Sequence, residues 1–302
     1  MSDVLPIPQE SYLELSARQR IARICDKGTF TEICGPEARR KSPHLATFGM
    51  PSAFDDGLIV GEARLDGRNI MVAAQEGAFM GGAVGEVHGA KLTGLLLRAA
   101  DRAPDAVVIL ADSGGVRLHE ANAGLVAVGE IQRAIFTARD AGVPVIAVIG
   151  SANGCYGGMS IAARSCDWVV MSGEGRLSVS GPEVIESAQG AGEFDARDRA
   201  LVWRTMGGRH RYLMGDADRL VADDPGAFRS EIVSLLGQSR AITLETLRAR
   251  NTELKQRIDT FGAARDGTEI WQAMGHSDPW RLPELEPDPF QAAVDGKRRK
   301  RA

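Results

Sequence analysis

Two short glycine turns hold the residues best placed for chemistry. Ser113-Gly114-Gly115-Val116 follows the apolar run Val107–Ala111, and Cys155-Tyr156-Gly157-Gly158 follows Val143–Ile149. Glycine at a strand-to-helix turn admits positive φ and lets a ligand approach the main chain. Two backbone N–H groups aimed at one point form an oxyanion hole, and each donor contributes about 3 to 4 kcal/mol to the transition state. Such a hole suits a reaction whose electrons collect on a carbonyl oxygen as an enolate. Each glycine pair also reads as an ordinary tight turn, and the residues alone leave both readings open.

The elements that must position these turns follow from the pattern. Leu58–Arg64 and Asn69–Ala74 read as strands joined at Asp66-Gly67, and Gly77–Gly85 is a glycine-rich loop that opens a helix over about 86–102. Val107–Ala111 and Val143–Ile149 are apolar throughout, as strands buried on both faces are. A helix over about 121–140 separates them, and a short helix over 158–164 leads to strands at Asp167–Met171 and Leu177–Ser180. Strand, glycine loop and helix repeat three times, which predicts an α/β fold of right-handed crossovers. Ligands in such folds sit at the loops leaving the strands' C-terminal ends. The expected division is an N-terminal arm at 1–55 that covers the core, a main domain at 56–237, a helical region at 238–278 and a flexible basic tail at 279–302.

Composition excludes several classes. The 302 residues carry 36 Lys and Arg against 40 Asp and Glu, with five of the basic residues between Lys297 and Arg301. Without those five the balance is 31 against 40, a net of −9, so nucleic acid is not an expected partner. The longest apolar stretch, Val143–Gly150, contains a proline and falls far short of the roughly 20 residues that span a membrane. The start MSDVLPIPQE has no secretory pattern, which gives a cytoplasmic expectation. Cys25, Cys34, Cys155 and Cys166 form no CxxC pair, so neither a disulfide framework nor a metal site is expected. Neither GxxxxGK[ST] nor a strand-borne GxGxxG is present, which disfavours the common nucleotide enzymes.

Four motifs, in order, carry a resemblance: QEGAFMGGAVGEVHGAK from Gln75, DSGGVRLHE from Asp112, PVIAVIGSANGCYGGMSIAARSCDWVVMS from Pro144, and SGPEVIES from Ser180. Over about residues 50–225 the sequence resembles the carboxyltransferase β subunits of acyl-CoA carboxylases, which implies the crotonase fold, a ββα spiral superhelix. The zinc-ribbon cysteines of bacterial acetyl-CoA carboxylase β subunits are missing, and the length allows one crotonase-like half where the propionyl-CoA type has two. Within the superfamily the sequence is similar to the β subunits of biotin-independent malonate decarboxylases, notably through LSVSGPEVIESAQGAGEFDARDRALVWRTMGGRHR from Leu177.

That resemblance implies a carboxy-lyase subunit. With a homologous γ subunit, it would convert a malonyl thioester on an acyl carrier protein to the acetyl thioester and CO2. The chain itself would bind no cofactor. The thioester would ride on a pantetheine-type phosphoribosyl-dephospho-CoA arm of the carrier protein, and an α subunit, the acyl carrier transferase, would complete the complex. By the same analogy one enolate donor is the N–H of Gly115 or Val116, with Gly114 shaping the turn, and the other is that of Gly157, with Gly158 opening the helix behind it. The alternative is a β subunit of a biotin-dependent acyl-CoA carboxylase or malonate decarboxylase. A scaffold that completes its partner's site is a third reading, and a crotonase-type hydratase ranks last because Ser160 stands where such enzymes carry a glutamate.

Around the turns, Cys155 and Tyr156 are candidates for lining the acyl pocket, and Ser113 for assisting the hole or stabilising the turn. His88, beside Glu86 and Lys91, is either a proton donor or a loop-fixing hydrogen-bonding group. Arg117 and His119 are candidates for holding the malonyl carboxylate or the arm's phosphate, or they begin a solvated helix. Arg197, Arg199, Arg204, Arg209, His210 and Arg211 either form a solvated face or meet a partner.

Overall fold

The computed structural model describes residues 10–299. Seven strands form one sheet in chain order: β1 (Thr31–Ile33), β2 (Leu58–Leu65), β3 (Arg68–Gln75), β4 (Ala106–Ala111), β5 (Val145–Ile149), β6 (Trp168–Ser172) and β7 (Arg219–Val221). β1, β2 and β3 pair antiparallel, and every pair from β3 to β7 is parallel. Asp66 and Gly67, both at positive φ, close the β2–β3 hairpin, as the two-residue turn demands.

Helix α1 (Ala17–Ile24) precedes the sheet, and α2 (Glu86–Arg102), α3 (Asn122–Asp140) and α4 (Gly157–Ser165) are the crossovers that carry the chain from β3 to β6. These three helices lie on one face. Leu92 and Leu96 of α2, Ile131 and Ile135 of α3 and Met159 of α4 share one core with Val107, Ile109, Val145 and Ala147. The intervening residues Val108, Leu110, Ile146 and Val148 face the opposite core, with Ile21 and Ile24 of α1. Period-two alternation between two covered faces is why β4 and β5 are apolar at every position. Helix α1 packs into this second core.

The rest of the chain is helical apart from β7: α5 (Pro182–Gln189), α6 (Arg199–Met206), α7 (Gly208–Leu213), α8 (Pro225–Leu235), α9 (Leu244–Phe261), α10 (Gly267–Ala273) and α11 (Pro287–Val294). Phe228 and Ile232 of α8 close the second core beside α1. The expected α/β class and the threefold repeat of strand, glycine turn and helix are both present.

Two expectations need correction. Leu177–Ser180 is not a strand of the sheet; Leu177 and Arg176 make only isolated bridges, to Cys155 and Gly207. Residues 279–299 are not a flexible tail. Phe290 and Val294 of α11 are fully buried, the Arg299 N–H donates to the Leu213 carbonyl at 2.9 Å, and the Arg298 guanidinium lies 3.7 Å from the Tyr212 ring centre. The basic residues mask a short apolar stripe that docks the segment. Residues 300–302, the end of that expected tail, and 1–9 lie outside the described residues. Among the described residues no helix is long and apolar enough to cross a membrane.

Candidate active site

The two glycine turns are stitched together beyond the ends of β4 and β5. The Ser113 N–H donates to the Gly154 carbonyl and the Tyr156 N–H to the Ser113 carbonyl, both at 2.8 Å. A third segment joins them, because Cys155 donates to the Arg176 carbonyl at 2.8 Å and accepts from the Ser178 N–H at 3.2 Å. Gly115 has φ +122° and Gly157 φ +56°. A Cβ on Gly157 would stand 2.9 Å from Gly115 Cα, so the turns touch backbone to backbone and neither tolerates a side chain.

The backbone donors of the two turns divide into paired and unpaired. Gly114 N–H donates to the Gly81 carbonyl at 2.8 Å, Gly115 N–H to Ser113 Oγ at 3.2 Å, and Gly157 N–H to the Val179 carbonyl at 2.9 Å. The expectation that Gly157 supplies a donor is therefore corrected, and of Gly115 or Val116 only Val116 remains. Val116 and Gly158 have no amide acceptor among the described residues. Val116 N lies 3.6 Å from where a Gly157 Cβ would be. Gly158 is the second residue of α4, whose first-turn N–H groups have no partner within the helix. The helix dipole adds a positive field there. Two half-buried amides, one the expected Val116 and the other one residue beyond the expected Gly157, thus lack an acceptor among the described residues.

Both turns are anchored from below by a residue the sequence reading missed. Arg20 of α1, fully buried, meets the Asp112 carboxylate at 2.9 Å and also donates to the Gln75 carbonyl at 3.0 Å and to Ser151 Oγ. Asp112 in turn accepts from the Asn153 N–H at 2.9 Å. One guanidinium thus ties the residue before the first turn to the loop before the second. Its signal is an arginine on the buried stripe Ala17, Arg20, Ile21, Ile24 of a capped helix.

The other expected site residues divide. Ser113 is buried and its hydroxyl holds the turn, accepting from Gly115 N–H. Cys155 is buried, and burial pushes its thiol far up, which disfavours a thiolate nucleophile. The Tyr156 ring packs with Phe194, Val202 and Met206, and burial raises its hydroxyl's pKa. Arg117 is not available to a substrate carboxylate. It is 1% exposed, its Nη1 meets Asp56 at 2.8 Å and Glu120 at 2.7 Å, and Phe79 lies over its guanidinium.

His88 is likewise fully buried. Burial, with the Arg117 charge, pushes its pKa down to about 3. Gln75 Oε1 accepts from the Asp112 N–H at 3.2 Å, so the Gln75 amide nitrogen donates to His88 Nε2 at 3.1 Å. The ring is neutral, with its proton on Nδ1, and it serves to fix the loop. Lys91 donates to the carbonyls of Asp55 and Leu58, while His119 is exposed.

The arginine group after α5 is scattered rather than gathered. Arg204 pairs with Asp266, Arg209 donates to the Leu285 carbonyl, and His210 is buried, accepting from Trp271.

A family model for the carboxyl transferase domain matches residues 9–246. The chain belongs to the carboxyltransferase family. This carboxyltransferase-family protein is 41% identical to the malonyl-S-ACP:biotin-protein carboxyltransferase of Malonomonas rubra, an alignment spanning 95% of this chain and 96% of that one. One subunit of a Pseudomonas malonate decarboxylase hetero-tetramer, crystallised with malonate, matches with a TM-score of 0.81 and 38% identity, covering 88% of this chain and 98% of its own. A chain of the Pseudomonas MdcD-MdcE hetero-dimer matches with a TM-score of 0.66 and 36% identity, over 82% and 96%. The carboxyltransferase is therefore an enzyme acting on carboxyl groups, with the crotonase-type fold the motifs implied.

Proposed function

We propose that this chain is the β subunit of a malonate decarboxylase and that, with a homologous γ subunit, it converts malonyl-S-acyl carrier protein to acetyl-S-acyl carrier protein and CO2. The observation that carries the reading is the pair of unpaired amides at Val116 and Gly158. Malonate itself resists decarboxylation because the electrons left behind have no sink. In a malonyl thioester the bond from C2 to the carboxylate carbon breaks, CO2 leaves, and the electron pair collects on the thioester oxygen as an enolate. The Val116 and Gly158 N–H groups hold that oxygen, each contributing about 3 to 4 kcal/mol. The proton for C2 then comes from water or the γ subunit.

A partner chain is supported by exposed apolar side chains next to the turns. Leu118, Leu125, Val126 and Val184 are all at least 60% exposed, an arrangement typical of a covered face. The carrier protein and the α subunit complete the proposed complex, with the thioester arm on the carrier.

A second reading is favoured by the 41% identity to the Malonomonas carboxyltransferase: the same enolate chemistry, with a biotin protein taking the carboxyl group. The test is release of labelled CO2 from malonyl carrier protein by this chain alone, with its γ partner, and with avidin added. Avidin-insensitive release that needs both chains supports the decarboxylase. Carboxyl transfer to biotin without release rejects it in favour of the second reading.

A further inference from the structure

Arg20 joins the C-terminal ends of three neighbouring strands. Its Nη2 donates to the Gln75 carbonyl at the end of β3, at 3.0 Å, and to the Asp112 carboxylate just past β4, at 2.9 Å. Its Nη1 donates to Ser151 Oγ in the loop that leaves β5. The helix that carries this fork is itself pinned to the end of β3, where the Ala17 N–H at the start of α1 donates to Glu76 Oε2 at 3.0 Å.

Asp112 passes the constraint on. One carboxylate oxygen faces Arg20 and the other accepts the Asn153 N–H at 2.9 Å, while the Asp112 N–H donates to Gln75 Oε1 at 3.2 Å. A Cβ on Gly77 would run into both the Asp112 carboxylate and the Asn153 side chain, so the glycine-rich loop closes over the carboxylate and holds it in place. Asp112 precedes the turn that ends in Val116, and Asn153 precedes the turn that leads into Gly158. A single clasp therefore stands behind both amides of the proposed hole and forms no bond with either.

Stability alone does not account for it. Arg20 is fully buried and Asp112 nearly so, and packed apolar side chains of similar volume commonly hold a core as well as a buried ion pair does. What apolar contacts lack is direction. A planar guanidinium fork meets acceptors on three separate segments at fixed angles, and a shift of about 1 Å in groups that act on a transition state costs about 100-fold in rate.

Resting on the function proposed above, we infer that Arg20, acting through Asp112, is a positioning residue that sets the spacing of the Val116 and Gly158 amides. It does not touch substrate, so its loss should appear in kcat and leave KM nearly unchanged.

The test uses the full chain in its assembled complex, with turnover read as CO2 release or as carboxyl transfer to biotin, since both reactions pass through the same enolate. Arg20→Met leaves Asp112 buried without its partner and should lower both the urea midpoint and kcat. Arg20→Met with Asp112→Leu removes both charges. Its urea midpoint should return most of the way to that of the unaltered chain, while kcat stays down by about tenfold or more. Arg20→Lys keeps the charge without the fork, so it should stay folded with an intermediate kcat, and it carries the test should the other variants fail to fold.

Recovery of kcat along with stability in the double variant would make the clasp purely structural and overturn the inference, as would full kcat in Arg20→Lys. A crystal structure of the double variant, or of Arg20→Lys in its place, decides the same point without activity. The separation of Gly115 Cα and Gly157 Cα should widen, and an unchanged separation overturns the positioning role. An unaltered complex that carries out neither reaction would reject the function proposed above, and the crystallographic comparison would still decide the clasp.

Discussion

Gly115 and Gly157 pack main chain against main chain: a Cβ on Gly115 would lie 3.3 Å from Gly157 Cα, and one on Gly157 2.9 Å from Gly115 Cα. This contact fixes the separation of the two turns, and with it the separation of the amides that follow them. Gly157→Ala adds a methyl group at φ +56°, costing about 1 to 2 kcal/mol in backbone strain, and it pushes the turns apart. The expected result is a fall in kcat of about 100-fold or more, with a folded chain by circular dichroism. Unchanged turnover would reject the hole.

Gly158 faces α3, where a Cβ would come within 2.6 Å of a Val128 methyl carbon. Gly158→Ala should therefore lose both stability and activity by displacing α4 from α3. Adding Val128→Ala removes the methyl carbons at 2.6 and 2.7 Å and leaves only the Cβ, at 3.1 Å, to give way, without touching the amide. The double variant should regain much of both, a non-additivity read by a double-mutant cycle in urea and in kcat.

Arg117 serves structure. Arg117→Met leaves Asp56 and Glu120 buried without their partner, at an expected cost of about 3–5 kcal/mol in urea denaturation. A residue that held substrate would instead raise KM with little change in stability.

Much of this was legible in the sequence, for local reasons. The helix expected at about 86–102 has those same bounds in α2, because Gly85 and Pro104 punctuate it. The two glycine turns are adjacent, as buried parallel strands require. Long-range pairing decides what was not legible. Whether Gly157 or Gly158 offers a free amide depends on the carbonyl of Val179, and Arg117 is withdrawn from ligand duty by Asp56, 61 residues away. Arg20 was not legible because its charge outweighs its place on the apolar stripe of α1, and the Asp112 carboxylate that answers it lies 92 residues away. The docked C-terminal segment shows the reverse error, in which the basic residues outweighed Phe290 and Val294.

His88 makes a prediction about acid. An unfolded histidine takes a proton near pH 6.5, whereas the folded ring resists protonation until about 3. The unfolded chain therefore binds more protons in that window, and stability falls as pH drops from about 6.5 toward about 3, remaining whole above it. His210, which burial also holds down to about 3, adds to the same limb, so His88→Gln should make it shallower, not remove it, in a series of urea titrations against pH. The kcat profile should show no inflection from His88 near neutrality, and an inflection that disappears in His88→Gln would contradict the neutral, structural role.

The central claim is that the Val116 and Gly158 amides hold the enolate, and an amide-to-ester substitution tests it most directly. Incorporating the α-hydroxy acid analogue of valine at 116 replaces that N–H with oxygen and adds no side-chain bulk. CO2 release from malonyl carrier protein by the assembled complex is predicted to fall about 100- to 1000-fold in kcat, with only a modest fall in melting temperature, because that N–H has no acceptor among the described residues and the Gly115 carbonyl, now an ester, still accepts the Val84 N–H. Full activity in the ester protein would show that the enolate is held elsewhere.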